Sequence, residues 1–184
     1  VAAHKAGADV TMVTKICRDT FGGVALDTMK ELKMDSSRVL FSEDVETGAA
    51  VIMVDEKTSQ NEIVVILGAC NTITDEEVDS LTDVIEGSAY LLTQLETNVS
   101  SVERIVDIAY KKGVKVILNT APVQPIEDEL LAKVDLITPN EVEAEILTGI
   151  KVDSEEAADK AADWFFARGV KRVLITLGGR GVYL

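Results

Sequence analysis

The sequence predicts an α/β protein in which a mainly parallel β-sheet is covered by helices on both faces. After residue 70, strand-like and helix-like segments alternate and are joined by short connections, which is the pattern of parallel strands with crossover helices. Aromatic residues make up only 4% of the chain, so the core must consist of Val, Ile, Leu and Ala, which suit buried parallel strands. With 184 residues, 47% of them hydrophobic, the chain can bury a core as one domain.

The first third of the chain predicts helix and strand in turn and then a ribbon of two adjacent strands. The elements before the ribbon are the end of a helix over 1–6 closed by Gly7, a strand near 10–16, and a helix over 19–33. The runs TGAAVIMV (47–54) and NEIVVIL (61–67), joined by the polar DEKTSQ (55–60), predict two antiparallel strands. Because no helix intervenes within 39–67, we expect this ribbon to project from the main sheet.

The rest of the chain predicts a regular alternation that places polar residues at one edge of the sheet. The elements are a helix over 75–86 capped by Thr74, strands over 89–95, 114–119, 135–138 and 171–177, and helices over 100–113, after Pro125, from Glu141 and over 154–169. In such sheets, ligands bind outside the carboxyl ends of the strands. The residues that follow the strands there are Glu96, Asn119, Asn140 and residues 176–178.

Charge and cysteine content exclude several classes of protein. A formal charge of −14 and a pI near 4.4 argue against nucleic acid or an anionic membrane as a partner, because those contacts need clusters of Lys and Arg. No apolar run reaches the roughly 18 residues of a membrane span. Cys17 and Cys70 have no CxxC spacing or nearby His pair, so they give no zinc site, and we expect free buried thiols in a reducing cytosol. The single His4 is expected to be an exposed helix residue.

Several common catalytic motifs are absent from the sequence. It contains no G-x-x-x-x-G-K-[ST] phosphate loop, no G-x-G-x-x-G opening a helix after a strand, and no G-x-S-x-G elbow. A single histidine is also too few for most hydrolase triads. The sequence therefore predicts neither a P-loop protein nor one with a nicotinamide-binding fingerprint.

Three segments have both a structural and a functional interpretation. Glu96 ends a buried strand, where a carboxylate can accept sugar hydroxyls or simply be solvated. The run TLGGRGVYL (176–184) has glycines at 178, 179 and 181, which favour a hairpin turn but also allow close approach of a nucleotide. The strand 47–54 is apolar on both sides, with Ala50 and Ile52 on one face, as expected for a substrate lid or a subunit interface.

The segment TPNEVEAEILTG (138–149) predicts a helix that starts at Asn140 and raises the question of what Glu143 does. Asn at the N-cap with Glu at N3 has the spacing of a capping box, in which each side chain bonds the other residue's backbone N–H. Acidic residues in a first turn also suit the helix dipole. The spacing alone therefore favours capping over a metal site.

Taken together, these stretches resemble the ribokinase branch of the PfkB-type sugar kinases. The matching pieces occur in order along almost the whole chain: DTFG (19–22), TGAAVIMV (47–54), GACN (68–71), QLE (94–96), NTAP (119–122), TPNEVEAEILTG (138–149) and ITLGGRGV (175–182). The resemblance implies a ribokinase-like, Rossmann-type three-layer α/β sandwich with a small β lid within 39–67. It also implies phosphorylation of a pentose, D-ribose above all, with Mg-ATP.

The resemblance assigns roles to particular residues. The roles are sugar binding by Glu96, Ala50, Ile52 and Val65, nucleotide binding by Asn140, Thr176, Gly178 and Gly181, and magnesium binding through water by Glu143. A homodimer formed through the lid, with Val51 and Met53 in the contact, and a cytoplasmic location are further expectations. The sequence departs from the family at Thr120, where Pro is common, and at Cys70, which interrupts a usual Gly-Ala-Asn.

The resemblance also implies that some parts of the family pattern lie outside this stretch. The glycine-rich sugar motif is expected before Val1, and the catalytic Asp with its anion-binding amides and the K⁺ site after Leu184, so no catalytic base is expected here and the stretch alone should be inactive. Two alternatives remain open: another PfkB-type kinase acting on fructose, 2-keto-3-deoxygluconate or a nucleoside, and a non-catalytic sugar-sensing protein with the same fold.

Overall fold

The structure is a computed structural model that describes residues 1–58 and 61–184. The chain divides into two compact units, Val1–Thr74 and Asp75–Leu184. Residues 59 and 60, at the end of the predicted connection within the ribbon, lie outside the described residues. Each unit is described by itself below.

The first unit combines a parallel strand pair with an antiparallel ribbon. Its elements are α1 (Ala2–Lys5), β1 (Thr14–Cys17), α2 (Thr20–Glu31), β2 (Val39–Ser42), β3 (Thr47–Val54), β4 (Asn61–Gly68) and a 3-10 turn (Ala69–Thr72). β1 and β2 are parallel, and Ile16 and Val39 from them pack with Met29 and Met34 in a small core. The predicted strand near 10–16 therefore begins later, at Thr14, and only an isolated bridge precedes it.

The ribbon of β3 and β4 confirms the predicted antiparallel pair. Ala50 pairs with Val65 and Ile52 with Ile63, so these side chains share one face, since directly paired residues of antiparallel strands point to the same side. Both faces are apolar and exposed within this unit. The exposed large residues of the ribbon are Val51, Ile52, Met53, Val54, Ile63, Val64, Val65 and Ile66. Val39–Ser42 belongs to the parallel pair, so the ribbon itself starts at Thr47.

Hydrogen bonds from Asp19 join the start of α2 to the base of the ribbon. Its Oδ1 accepts the N–H of Gly22 at 2.8 Å as an N-cap, and its Oδ2 accepts the N–H of Thr47 at 2.7 Å. The Gly22 amide, followed by the Thr47 amide, holds the pKa of the Asp19 carboxyl below its ordinary value. The Thr47 hydroxyl also accepts the N–H of Cys17. A single carboxylate thus ties β3 to the loop between β1 and α2.

The second unit contains the predicted parallel sheet with its helices. Its elements are α3 (Asp75–Asp79), α4 (Thr82–Glu86), β5 (Tyr90–Thr93), α5 (Val99–Lys111), β6 (Lys115–Leu118), α6 (Asp128–Leu131), β7 (Leu136–Ile137), α7 (Glu141–Thr148), α8 (Glu155–Phe166), β8 (Ile175–Thr176), a 3-10 turn (Gly178–Arg180) and β9 (Val182–Tyr183). β5, β6 and β7 are parallel neighbours in that order. Parallel bridges continue from Ile137 to Val173 and from Asn140 to Thr176. Strands and helices both contribute to the core, which includes Val106, Val116, Leu118, Ile137, Phe165 and Ile175.

The predicted helix over 75–86 is wrong as a single element, because it is broken into α3 and α4. The hydroxyl of Ser80 donates to the carbonyl of Glu77 at 2.7 Å, and that of Thr82 donates to the carbonyl of Asp79 at 2.8 Å. Such local side-chain bonds offer the backbone an alternative to the helical ladder. The two hydroxyl residues therefore interrupt a pattern whose apolar spacing predicted continuity.

Two expectations about burial are also corrected. His4 is half-buried, and its Nε2 lies 2.9 Å from the carbonyl oxygen of Leu32, so it joins α1 to the end of α2. Cys17 and Cys70 are free thiols, as expected, but both are half-buried and not fully buried. The Cys70 thiol donates to the carbonyl of Lys15 at 3.3 Å. No helix within the two described ranges is long and apolar enough to cross a bilayer.

Candidate nucleotide and sugar site

Two of the residues predicted to bind nucleotide lie side by side at the edge of the parallel sheet. Asn140 follows β7 and forms a parallel bridge with Thr176 at the end of β8. The N–H of Thr176 donates to the carbonyl of Pro139 at 3.0 Å. The carboxyl ends of neighbouring strands thus meet as the ligand-binding rule for such sheets requires.

Glu143 forms a complete capping box at the start of α7. Its N–H donates to Oδ1 of Asn140 at 2.8 Å, and its Oε2 accepts the N–H of Asn140 at 3.0 Å. The amide Nδ2 of Asn140 also donates to Oε1 of Glu143 at 2.8 Å. The helix begins where the sequence predicts, and the carboxylate folds back onto the N-cap residue. The magnesium role of Glu143 stays a prediction.

A contact that the sequence did not indicate fixes the same carboxylate from another part of the chain. The hydroxyl of Thr120, which is fully buried in the loop after β6, donates to Oε2 of Glu143 at 2.9 Å. In the sequence, Thr120 differs from the family pattern, but this difference does not predict the contact. No local sequence signal marks a contact between residues 23 positions apart.

The surroundings of Glu143 fit a magnesium ion held through water. Glu143 is only 8% exposed, and among residues 1–58 and 61–184 no Lys, Arg or His forms an ion pair with it. Buried carboxylates are normally paired with a cation. Oε1 accepts one hydrogen bond and so keeps an acceptor position for a metal-bound water.

A direct protein cage for the metal is not present in the described part of the chain. No group of three or more His, Cys, Asp or Glu side chains within it could hold a metal ion. Mg²⁺ usually keeps several waters and uses one or two carboxylates together with substrate phosphates. An outer-shell role for one buried carboxylate therefore agrees with this donor set.

The glycine-rich run 176–184 forms the hairpin turn that its composition favoured. Gly178 and Gly181 have φ values of +54° and +93°, which only glycine adopts readily. A Cβ built on either glycine, or on Gly179, would meet no atom within 4 Å. The turn thus needs glycine for its backbone conformation, and its surface in this unit is open. Nucleotide binding by Thr176, Gly178 and Gly181 stays a prediction that this open backbone supports.

Two side chains of the hairpin reach the neighbouring helices. Nη2 of Arg180 donates to the carbonyl of Val152 at 2.8 Å and to Oε2 of Glu141 at 3.2 Å. The hydroxyl of Tyr183 donates to Oδ1 of Asp159 on α8 at 2.5 Å. This hydrogen bond to a carboxylate raises the pKa of Tyr183 to about 12. The hairpin is therefore attached to both α7 and α8.

Glu96 lies three residues beyond the end of β5, which stops at Thr93 and not at residue 95 as predicted, and its carboxylate is available. It is exposed, and its Oε2 accepts only a long bond of 3.4 Å from Nε2 of Gln94 among the described residues. The residue before it, Leu95, is fully buried and donates its N–H to the carbonyl of Ala121. Nε2 of Gln124 donates to the carbonyl of Leu95 at 2.9 Å. Glu96 is thus an accessible acid on a firmly held backbone, as its predicted role requires.

The predicted sugar-binding residues are divided between the two units. Ala50, Ile52 and Val65 share one face of the ribbon in the first unit, whereas Glu96 belongs to the second. The ribbon face that carries Ala50, Ile52 and Val65 is apolar and exposed, which suits contact with the carbon atoms of a sugar. Their part in sugar binding stays a prediction.

The second unit also contains a cavity of about 370 Å³. Its lining includes Trp164, Phe165 and Arg168. The guanidinium of Arg168 stacks over the Trp164 ring at 3.4 Å and pairs with Asp128. None of the predicted site residues lines this cavity, so the strand edge and not the cavity is the candidate site.

The chain is similar to known proteins along its whole length. The model of the pfkB family carbohydrate kinases matches residues 1–184. A ribokinase of Haemophilus influenzae is 42% identical over all of this chain and 60% of its own length, and one of Staphylococcus aureus is 38% identical with the same coverage. The solved structure of Arabidopsis thaliana ribokinase complexed with ribose and ATP aligns with a TM-score of 0.80 and 27% identity, over 92% of this chain and 55% of that one. The chain thus spans about 60% of the length of these curated relatives.

Proposed function

We propose, from the premise that the chain belongs to the pfkB family of carbohydrate kinases, that the whole protein phosphorylates D-ribose with ATP. The fold and the sugar-kinase class follow from the family. The observation that carries the choice of ribose is the identity of 38–42% over the entire chain with proteins named ribokinase. The neighbour whose structure contains ribose and ATP supports the same pair of ligands.

In the proposed reaction, the 5-hydroxyl oxygen of ribose bonds to the γ-phosphorus of ATP and the bond from that phosphorus to the bridging oxygen of ADP breaks. The hydroxyl proton passes to a base that we do not assign to a residue of this chain. Bound Mg²⁺ would neutralise charge on the phosphate oxygens. The chain's own contribution is positioning: Asn140 and the turn with Gly178 and Gly181 receive the nucleotide, and Glu143 accepts a metal-bound water.

The sugar is held, in this proposal, by one polar and one apolar group of residues. Glu96 accepts hydrogen bonds from two sugar hydroxyls, because its carboxylate is exposed and its two oxygens have acceptor positions for both donors. Ala50, Ile52 and Val65 cover the sugar's carbon atoms. We also infer activation by K⁺ and a cytoplasmic location, which the family resemblance and the free thiols support.

A coupled assay of ADP formation with the whole protein tests the reaction. We expect the kcat/KM for ribose to exceed that for fructose, 2-keto-3-deoxygluconate and a nucleoside by about tenfold or more, since a missing or displaced hydroxyl leaves a hydrogen-bonding group of the site without its partner. Turnover that is faster with one of the other three substrates would replace ribose by that substrate. Sugar binding without any ADP formation would favour the sugar-sensing alternative.

We further propose a homodimer formed through the ribbon. Val51 and Met53 lie on the face opposite Ile52, and Val51 is 58% exposed. Contiguous exposed apolar surface of this kind marks an interaction site. Light scattering at micromolar concentration should give a dimer, and Val51→Glu should give a monomer. Val24→Glu is the matched control, since Val24 is equally exposed at 59% but lies on α2. A monomeric wild type would contradict the proposal.

A further inference from the structure

Arg180 lies in the glycine-rich turn that is proposed to receive the nucleotide. A guanidinium in such a turn would ordinarily be assigned to phosphate, since arginine suits bidentate recognition of phosphate groups. Its contacts point elsewhere. Nη2 donates to the backbone carbonyl of Val152 and to the carboxylate of Glu141, at 2.8 and 3.2 Å.

These two contacts join the turn to both ends of α7. Glu141 is the first residue of α7 and directly follows Asn140, whereas Val152 lies just beyond the end of that helix. At the other side of the turn, the N–H of Thr176 bonds the carbonyl of Pro139. The backbone between Thr176 and Arg180 is therefore held at its two ends against the segment that contains Asn140.

The other restraints on the turn are backbone bonds within the hairpin, such as that from the N–H of Leu177 to the carbonyl of Gly181 at 2.8 Å, and the bond from Tyr183 to Asp159. None of them joins the glycines to α7. Gly178, Gly179 and Gly181 have no neighbouring atoms within 4 Å of a built Cβ, so packing does not restrain this backbone. Glycine also has more conformational freedom than any other residue. A turn of this kind that was not held would have to be ordered by its ligand, which would weaken binding.

We propose that Arg180 is a positioning residue, which clamps the glycine turn against α7 at a fixed distance from Asn140 and does not bind phosphate. The inference rests on the proposed function in that the ligand of the turn is an adenine nucleotide. It goes beyond that function because it gives Arg180, the cationic side chain of the turn, contacts with the protein and none with the substrate.

Substitution of Glu141 distinguishes a clamp from a phosphate contact, because the two roles predict opposite changes in nucleotide affinity. If Arg180 serves the clamp, Glu141→Gln weakens the clamp and lowers nucleotide affinity. If Arg180 serves phosphate, the same change removes a competing carboxylate and a repulsive charge, so nucleotide affinity rises. The phosphate-free ligand adenosine gives a second distinction, because a clamp affects adenosine and ADP alike.

Calorimetric titration of the whole protein with ADP and with adenosine tests the clamp. We expect Arg180→Met to lower the affinity for ADP and for adenosine by about tenfold each, because a misplaced binding group binds its ligand less well. Glu141→Gln should lower both affinities by about two- to threefold, which is the usual effect of losing a partly exposed ion pair. The double variant should bind no more weakly than Arg180→Met, because the two residues act through one contact.

Two further variants control for charge and folding. Lys160→Met removes one positive charge and one surface ion pair, with Glu156 on α8, and should leave both affinities unchanged. Arg180→Lys keeps the charge but cannot donate to two acceptors from one planar group. Under the clamp, it should give intermediate affinity for both ADP and adenosine. Under a phosphate contact, it should lower the affinity for ADP alone. Because it keeps the charge, this variant can replace Arg180→Met if the latter lowers the melting temperature.

The outcomes separate the clamp from the proposed function. Loss of ADP affinity with unchanged adenosine affinity in Arg180→Met, or tighter ADP binding in Glu141→Gln, would overturn the clamp while ribose phosphorylation stands. Equal weakening of both ligands in a protein that does not phosphorylate ribose would leave the clamp and overturn the substrate. A wild type that binds neither adenine ligand would overturn both.

Discussion

Gly22→Ala should destabilise the protein by about 3 kcal/mol or more, at the upper end of the range for overpacked sites. A Cβ at position 22 would lie 2.0 Å from the carbonyl oxygen of Cys17 and 3.1 Å from the hydroxyl of Thr47. The first of these atoms belongs to the backbone of β1 and cannot swing aside like a flexible side chain. The start of α2 would therefore have to move away from β1.

The same movement would disturb the base of the ribbon. The N–H of Gly22 is one of the two backbone donors to Asp19, and the other belongs to Thr47. A shift of α2 separates these donors, so the Asp19 carboxylate would lose one bond or the other. We therefore expect weaker sugar binding as well as lower stability, if the ribbon closes over the sugar as proposed.

Gly23→Ala is the matched control for this prediction. Gly23 lies in the same helix turn, and a Cβ built on it meets no atom within 4 Å. Alanine is favoured over glycine within helices, so this variant should be stabilised by about 0.5–1 kcal/mol. Urea unfolding followed by circular dichroism measures both variants. Equal free energies of unfolding for the two would show that the close approach of α2 to β1 does not matter for stability.

The features that the sequence predicted well depend on short-range rules. The start of α7 at Asn140 follows from capping-box spacing, and the hairpin at Gly178 and Gly181 from the need for positive φ. The ribbon follows from alternating apolar strands without an intervening helix. Each of these signals lies within a few residues of the feature it predicts.

The features that the sequence did not predict depend on contacts between distant residues. The hydroxyl of Thr120 meets Glu143, and the ring of His4 meets the carbonyl of Leu32, across 23 and 28 positions respectively. The break between α3 and α4 is local, but hydroxyl bonds to carbonyls override an apolar spacing that favours one helix. The sequence likewise did not predict the contacts of Arg180, because its two partners lie at the two ends of another helix.

The capping box also means that the two roles of Glu143 can be separated by substitution. Glutamine at the N3 position of a capping box still accepts the N–H of the N-cap residue, so Glu143→Gln keeps the bond to the N–H of Asn140 and can keep the Thr120 hydroxyl. Its NH₂ group would face the Nδ2 donor of Asn140, where Oε1 now accepts. The loss of that one hydrogen bond should cost about 1–2 kcal/mol.

Kinase activity should respond much more strongly than stability to Glu143→Gln. If the carboxylate holds a metal-bound water, removal of its charge should lower Mg²⁺-dependent activity by about 10–100-fold, as loss of outer-shell partners does. The Mg²⁺ concentration for half-maximal activity should rise, and the KM for ribose should stay unchanged. Glu145→Gln, on an exposed position of the same helix, is the control and should behave as wild type.

Glu143→Ala completes the comparison because it removes the cap and the charge together. A residue that only caps would give activity in the order wild type, glutamine, alanine, in step with stability, and no change in Mg²⁺ dependence. A residue that also serves the metal gives two variants of unequal stability but similarly low activity, because both lack the charge. Metal titrations of the two variants beside their urea unfolding curves distinguish these patterns, and full activity in Glu143→Gln would reduce Glu143 to a helix cap held by Thr120.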